Sequence, residues 1–346
     1  GRETFKLRKY NNIIEASCLS KFLRKFSGTA VYMLESTPGD HIVKKFSYFG
    51  FVCFLFDFCV YFYCTYKAHV EDQTIVRTIY KTKLRRYGDD VERISSIIFV
   101  LLAMWKVPFT ITGACDLWQQ IVDIDKSIER MGEIINHNKN ALYGIIFTIG
   151  QFFEYSARLA CMWVALVSLN VKVPIEKVYQ VVFTDALSLV LVSHYCFSLC
   201  VLRDRYKYLN KILAEVQERR AWEYRMFTRT KLAVDVNKVE RLQDRNVCEK
   251  INSCAKVYAM LYKATDKVNT LFGTGLVLTM MVYLLCVILY MFYFMEATAS
   301  GLFMDLRRYL DFMICVFWQI AHAISIMFAI VYFSESTVSE VCEINI

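Results

Sequence analysis

The stretch "LCVLRDRYKYLNKILAEV", Leu199 to Val216, begins as the end of an apolar run and finishes as a charged helix. Asp204-Arg205-Tyr206 stands at the junction. Leu202, Tyr206, Leu209, Leu213 and Val216 are spaced 4, 3, 4 and 3, the heptad spacing of a packing seam. A helix that leaves a membrane and continues as an amphipathic rod carries this pattern. An Asp-Arg-Tyr triplet at a membrane exit is also the cue for a G-protein-coupled receptor, and the rest of the chain tests that reading.

Composition narrows the class. The 346 residues are 56% hydrophobic and 15% aromatic, only 21% are charged, and 26 are Phe and 22 Tyr. Soluble domains of this size seldom carry so much Phe and Tyr, so the predicted fold class is an all-α integral membrane protein. The net charge of +8 does not point to nucleic acid, because the basic residues lie beside apolar runs and read as membrane flanks. Most of the 13 Cys sit inside apolar segments without C-x-x-C spacing and read as small buried hydrophobes. His41, His69, His137, His194 and His322 show no metal spacing, and no cofactor is expected. H-E-x-x-H, G-x-S-x-G and P-loop signatures are missing, which argues against an enzyme. The polar, basic start is no signal peptide, and an opening on Gly1 leaves the natural start in question.

A bilayer core takes about 20 apolar residues per helix. Six segments reach that length: Phe46–Cys64, Ile94–Cys115, Ala141–Leu169, Val178–Leu202, Leu271–Met295 and Leu306–Phe333. The predicted organisation is an N-terminal segment over 1–45, four spans over 46–202, a cytoplasmic helical region over 203–270, two spans over 271–333 and a tail over 334–346. With the N-terminus inside, 28 of the 41 Lys and Arg face the cytoplasm, so this orientation in the plasma membrane is expected. The triplet then ends the fourth span of an inverted topology, and no G protein is expected as a partner.

A second seam precedes the fifth span. Val247, Ile251, Cys254, Tyr258, Leu261, Thr265, Val268 and Phe272 are spaced 4, 3, 4, 3, 4, 3 and 4. Two long helices are therefore predicted to project into the cytoplasm, with Leu209, Leu213, Tyr258 and Leu261 in the seam. They pair within the chain, join subunits, or do both.

The inverted topology, "RYKYLNKIL" (Arg205–Leu213) after the fourth span, and "YAMLYKATDKVNTLFG" (Tyr258–Gly273) entering the fifth together resemble the insect chemoreceptor superfamily, and within it the gustatory receptors. The resemblance implies a tastant-gated, non-selective cation channel, assembled as a tetramer through its cytoplasmic helices. It implies a ligand pocket in the outer half of the bundle and a pore lined by a seventh span. That span, with its Thr-Tyr…Gln-Phe motif, is not found, and the chain closes on "SESTVSEVCEINI" (Ser334–Ile346). A truncated or divergent product is expected, one that keeps a pocket but lacks the conduit. Alternatives are an odorant receptor of the same superfamily and, in a different class, a secondary transporter. A transporter predicts internal repeats and Gly/Pro-broken spans, but no repeat is evident.

Polar groups inside the bilayer are the candidate binders of a sugar-like or bitter ligand. In the sixth span Asp311, Cys315, Trp318, Gln319 and His322 share one face, offering a ring for stacking and an amide for hydrogen bonds. Gln319 and His322 bridging neighbouring helices is the structural alternative. In the third span Glu154 and Arg158 are four apart, the spacing of an ion pair on one helix face, with Arg158 as the alternative ligand anchor. Asp185 lies in the outer third of the fourth span, Lys106 in the middle of the second, and Asp57 in the first has no obvious partner.

Overall fold

The computed structural model describes residues 31–37, 41–71, 83–168, 175–229, 236–299 and 306–343. These form a hairpin of β1 (Tyr32–Ser36) and β2 (Ile42–Phe46), followed by α1 (Tyr48–Val70), α2 (Lys83–Phe109), α3 (Ile111–Arg130), α4 (His137–Ser168), α5 (Ile175–Arg229), α6 (Val236–Ala299) and α7 (Leu306–Glu343). The fold is that of an all-α membrane protein. Among the described residues four helical stretches are long and apolar enough to cross a bilayer: Tyr48–Val70, Ile175–Trp222, Arg245–Glu296 and Tyr309–Glu343. The other two expected spans fall in α2 and α4, which have 27 and 32 residues. α4 turns Ile149, Phe152, Phe153 and Trp163 outward, an apolar face suited to lipid.

The small hairpin is antiparallel, with Tyr32 opposite Phe46 and Ser36 opposite Ile42. β2 runs directly into α1, where the Ser47 side chain caps the helix by accepting from the Gly50 N–H at 3.2 Å. The Ile42 N–H donates to Gln119 of α3 at 2.8 Å, which fixes the hairpin against the bundle.

The expected span Ile94–Cys115 is not one helix. α2 ends at Phe109 and α3 begins at Ile111. Pro108 stands just before the break, and with no N–H it leaves the carbonyl four residues back without its helical bond, which weakens the last turn of α2. Cys115 therefore belongs to α3, an amphipathic helix that buries Leu117, Ile121, Ile124 and Ile128 against the neighbouring helices. Gly132, with φ of 101°, ends α3 in a conformation that costs a side-chain-bearing residue energy.

α5 is the central element. In its most apolar stretch 72% of residues are buried, against 17% for α6. The 55 residues of α5 and 64 of α6 span about 80 and about 95 Å at 1.5 Å per residue, far more than a bilayer core of about 30 Å. Both helices thus project well beyond it. Leu209 and Leu261 are fully buried between them, with Leu213 and Tyr258 partly buried alongside and Tyr258 edge-on to Tyr206. The seam opens farther out, where Trp222 and Ile251 are exposed.

The Asp-Arg-Tyr triplet lies at the foot of the bundle and all three residues are engaged within the chain. Arg205, 1% exposed, makes two parallel bonds to the Asp125 carboxylate, both 2.9 Å, and a third to Asn140 at 3.2 Å. Asp204 accepts from Lys139 at 3.0 Å. Burial opposes the charge of Lys139, but bonding to Asp204 and Tyr143 outweighs it and holds the ammonium pKa above its ordinary value. One triplet thus ties α3 and the start of α4 to α5.

The stretch expected as a tail after Phe333 is helical through Glu343 and lies along α5. Ser334 bonds Tyr195 at 2.7 Å, Ser336 accepts from Arg203 at 2.9 Å, and Glu340 pairs with Lys207 at 2.9 Å. Its Ser and Thr hydroxyls return bonds to carbonyls one turn back, as Ser334 does to Ile330. That is how so polar a segment continues the helix.

Arg205→Met strands the Asp125 carboxylate, whose side chain is 8% exposed. The expected loss is about 3–5 kcal/mol, read as a lower melting temperature in detergent. Adding Asp125→Leu to the same chain restores most of it, since no charge is then left unpaired. A single variant that melts with the wild type refutes the clamp.

Candidate ligand site

A second set of buried polar groups gathers at the end of the bundle where α1, α4 and α6 finish and α2, α5 and α7 begin. α5 supplies the largest share. Lys177, Gln180, Thr184 and Ser188 are spaced 3, 4 and 4 and form one buried polar stripe on an otherwise apolar helix. The stripe lines a cavity of about 30 Å³ shared with Glu92 and Ser96 of α2, Arg158 of α4, and Thr279, Tyr283 and Tyr290 of α6. A water needs about 10–15 Å³ on this measure, so the cavity has room for about two. Any larger ligand must part the helices.

Arg158 is the principal charge. It is 9% exposed, and its Nη1 lies 2.5 Å from Oδ2 of Asp185 on α5. This is a close ion pair whose angle falls short of a hydrogen bond. Its Nε donates to Oε1 of Gln319 on α7 at 2.8 Å. One guanidinium therefore joins three helices. Glu154, expected to pair with Arg158 along α4, instead meets Nδ1 of His322 on α7 at 2.6 Å. The other ring nitrogen of His322 lies 3.3 Å from the Tyr283 hydroxyl on α6, and Tyr283 is bonded in turn to Ser188 on α5. Hydrogen bonds between helices do the work here that ridge packing does elsewhere.

Of the residues singled out from sequence, Arg158 and Asp185 line the cavity. Gln319 and His322 are 5% and 3% exposed and stand behind it, each engaged with a neighbouring helix. Trp318 is partly buried outside the cavity lining, and its indole N–H has no hydrogen-bond partner. Asp311 lies nearer the start of α7, partly buried and away from the cavity. Asp57 Oδ2 has no hydrogen bond. The Lys106 side chain lies outside the described residues.

Gln180 was not singled out and is the most informative residue of the site. It is 1% exposed, yet neither its amide oxygen nor its nitrogen has a hydrogen-bond partner. The Tyr61 hydroxyl approaches it but without hydrogen-bond geometry, and lies 3.5 Å from the Thr184 hydroxyl. An unpaired buried amide costs about 1–3 kcal/mol. The 3, 4, 4 polar spacing on α5 was the signal that marked it in the sequence.

A second cavity of about 90 Å³ lies nearer the triplet, between Trp118, Leu187, His194 and Phe272. Its lining is mostly apolar and holds no Asp, Glu, Lys or Arg, so it offers a polar ligand far less. Among the described residues no cluster of His, Cys, Asp and Glu has the makings of a metal site.

Gln319→Leu removes the acceptor from the Nε of a buried guanidinium. The expected cost is about 1–3 kcal/mol, visible as a lower melting temperature and a reduced surface level together. A Gln319→Leu protein that melts normally would show that Gln319 does not hold Arg158.

No curated protein matches the chain. The model of the family described as 7tm Chemosensory receptor matches residues 30–346, from the hairpin through the whole of α7. With that match over most of its length, the chain belongs to the 7tm chemosensory receptor family.

Proposed function

We propose that the protein is a gustatory receptor subunit of the insect type, a cation channel gated by a small polar tastant that binds in the α2–α4–α5–α6 cavity. The observation that carries this is Gln180. Its amide bonds no protein group and borders a cavity with room for about two waters, so a polar ligand that displaces them finds both ends of the amide ready to bond. An amide offers two donors and an acceptor, and Glu92, Lys177 and Thr184 stand close by. The chemistry suits a hydroxyl-rich, sugar-like molecule or a bitter compound with several polar groups. The tyrosines of α6 supply the apolar faces on which a ring stacks.

The orientation follows from the excess of Lys and Arg beside the projecting helices. With the N-terminus cytoplasmic in the plasma membrane, the cavity lies in the outer half of the bundle, open to tastants. The exposed ends of the α5–α6 seam, at Trp222 and Ile251, then lie in the cytoplasm, where they join subunits of a tetramer. A ligand that enters the small cavity must part α5 from α4 and α6. The same helices continue into the assembly region, which passes the movement on to the other subunits.

Gln180→Leu separates function from stability. It relieves an unpaired buried amide, so the melting temperature is expected to hold or rise. It also removes the ligand's partners, so the Kd of the purified protein for sucrose, or for caffeine where sucrose does not bind, read by calorimetry, should rise at least tenfold, about 1.4 kcal/mol. An unmoved Kd would sink this reading.

A further inference from the structure

We propose that His322 and Glu154 together form a proton-binding site, and that its occupancy sets the direction of a hydrogen-bond chain ending at Asp185. This deepens the ligand-site reading, because Asp185 and Ser188 line the same cavity.

The chain runs Glu154, His322, Tyr283, Ser188, Asp185, and its donors can be counted. The Ser188 hydroxyl lies 2.8 Å from the backbone carbonyl of Asp185, which only accepts, so Ser188 donates there. Its oxygen then accepts from Tyr283, with which it is in close contact. The single Tyr283 proton is now used, so the phenol oxygen accepts from His322 Nε2 at 3.3 Å. Nε2 therefore carries a hydrogen. The remaining contact, Nδ1 to Glu154 Oε1 at 2.6 Å, needs a hydrogen of its own. It is either an imidazolium facing a carboxylate or a neutral ring facing a protonated carboxyl. Both hold one proton more than a neutral histidine beside an ionised glutamate.

The ionisable groups facing this chain of bonds are Glu92 from α2, Glu154, Tyr155 and Arg158 from α4, Lys177 and Asp185 from α5, Tyr283, Cys286 and Tyr290 from α6, and Cys315 from α7 itself. Arg158 cancels Asp185. The His322 side chain is 1% exposed and that of Glu154 28%, so the charge that proton loss leaves on the pair sits on the more exposed carboxylate.

Losing that proton reverses the chain. With Glu154 ionised and His322 neutral, the imidazole must donate from Nδ1 and accept at Nε2. Tyr283 turns its hydroxyl to His322, and Ser188 turns from the Asp185 carbonyl to Tyr283. The proton leaves to solvent or a buffer base, and no covalent bond besides that to hydrogen changes. Ser188, which lines the cavity, turns its hydroxyl away from the Asp185 carbonyl, and a negative charge is left on Glu154 behind the lining, so ligand binding and proton binding are linked.

The test is ¹⁵N NMR of histidine-labelled full-length protein at about pH 7, with the His322 signals assigned through His322→Gln. Both ring nitrogens protonated, or Nε2 alone beside a Glu154 carboxyl that ¹³C spectra, assigned through Glu154→Gln, show to be protonated, is the expected result. A neutral ring with Glu154 ionised, whichever nitrogen holds the hydrogen, overturns the proton site. No ligand is present, so the outcome is separate from that of Gln180→Leu. For the linkage, calorimetric binding curves for sucrose, or for caffeine where sucrose does not bind, are recorded between about pH 5 and 8, the range in which histidine charge is most readily changed. The wild type is expected to shift at least threefold, and Glu154→Gln, which keeps the size and hydrogen-bonding capacity, to lose the shift. A wild-type Kd that does not move with pH, or a shift that survives Glu154→Gln, overturns the linkage. Because Glu154→Gln removes the charge without removing the side chain, it keeps the test open if His322→Gln folds poorly.

Discussion

A guanidinium buried between helices must find acceptors on those helices, and Arg158 finds them on α5 and α7. Its position fixes much else. Once Arg158 points between α4, α5 and α7, Asp185 must face it and Gln319 must complete it. Glu154, one turn back on α4, is left to His322. The α5 stripe then faces α2 and α6, and the cavity forms where these polar side chains do not fill the space. Ion pairs of this kind add little net stability over apolar packing, but they penalise every alternative rotation of the helices. Lipid-facing packing discriminates much less between rotations, because α1, α4, α6 and α7 all offer broad outward apolar faces. Arg205 plays the corresponding part at the foot of the bundle, where Asp125 leaves α3 one way to lie against α5.

Much of the architecture could be read from residue patterns. The 4, 3 spacing from Leu202 to Val216 and from Val247 to Phe272 located the projecting parts of α5 and α6 within the same continuous helices that cross the bilayer. Leu209 and Leu261 are as buried as a seam position requires. Hydropathy could not place the break at Phe109, because the residues on both sides of Pro108 are apolar, and backbone chemistry rather than polarity ends the helix. Nor could it follow α7 past Phe333. The serines and threonines there look like a polar tail but return their hydroxyls to the helix and meet partners on α5 that are 130 or more residues away in sequence.

The site was legible only in part, for a related reason. A spacing of four on one helix permits an ion pair between Glu154 and Arg158. It cannot tell that pair from two pairs made across helices, because the choice depends on how α4 is rotated. Arg158 and Asp185 could be named from their cost in a membrane, which any position pays. Gln180 is neutral and was overlooked, since an amide in an apolar helix draws attention only when its spacing from Lys177, Thr184 and Ser188 is counted. Trp318 and Asp311 share a helical face with Gln319, but the cavity lies on the α5 side of Arg158 and does not reach them.

A ligand-binding role for the α5 stripe is the claim on which the functional account rests. Its most direct test is a cryo-electron microscopy map of the protein with a tastant that raises its melting temperature. The account predicts ligand density against Gln180 and Thr184, beside Arg158, with α5 moved away from α4 or α6. Ligand density in the apolar cavity beside Trp118 and His194, with Gln180 still unpaired, would contradict it.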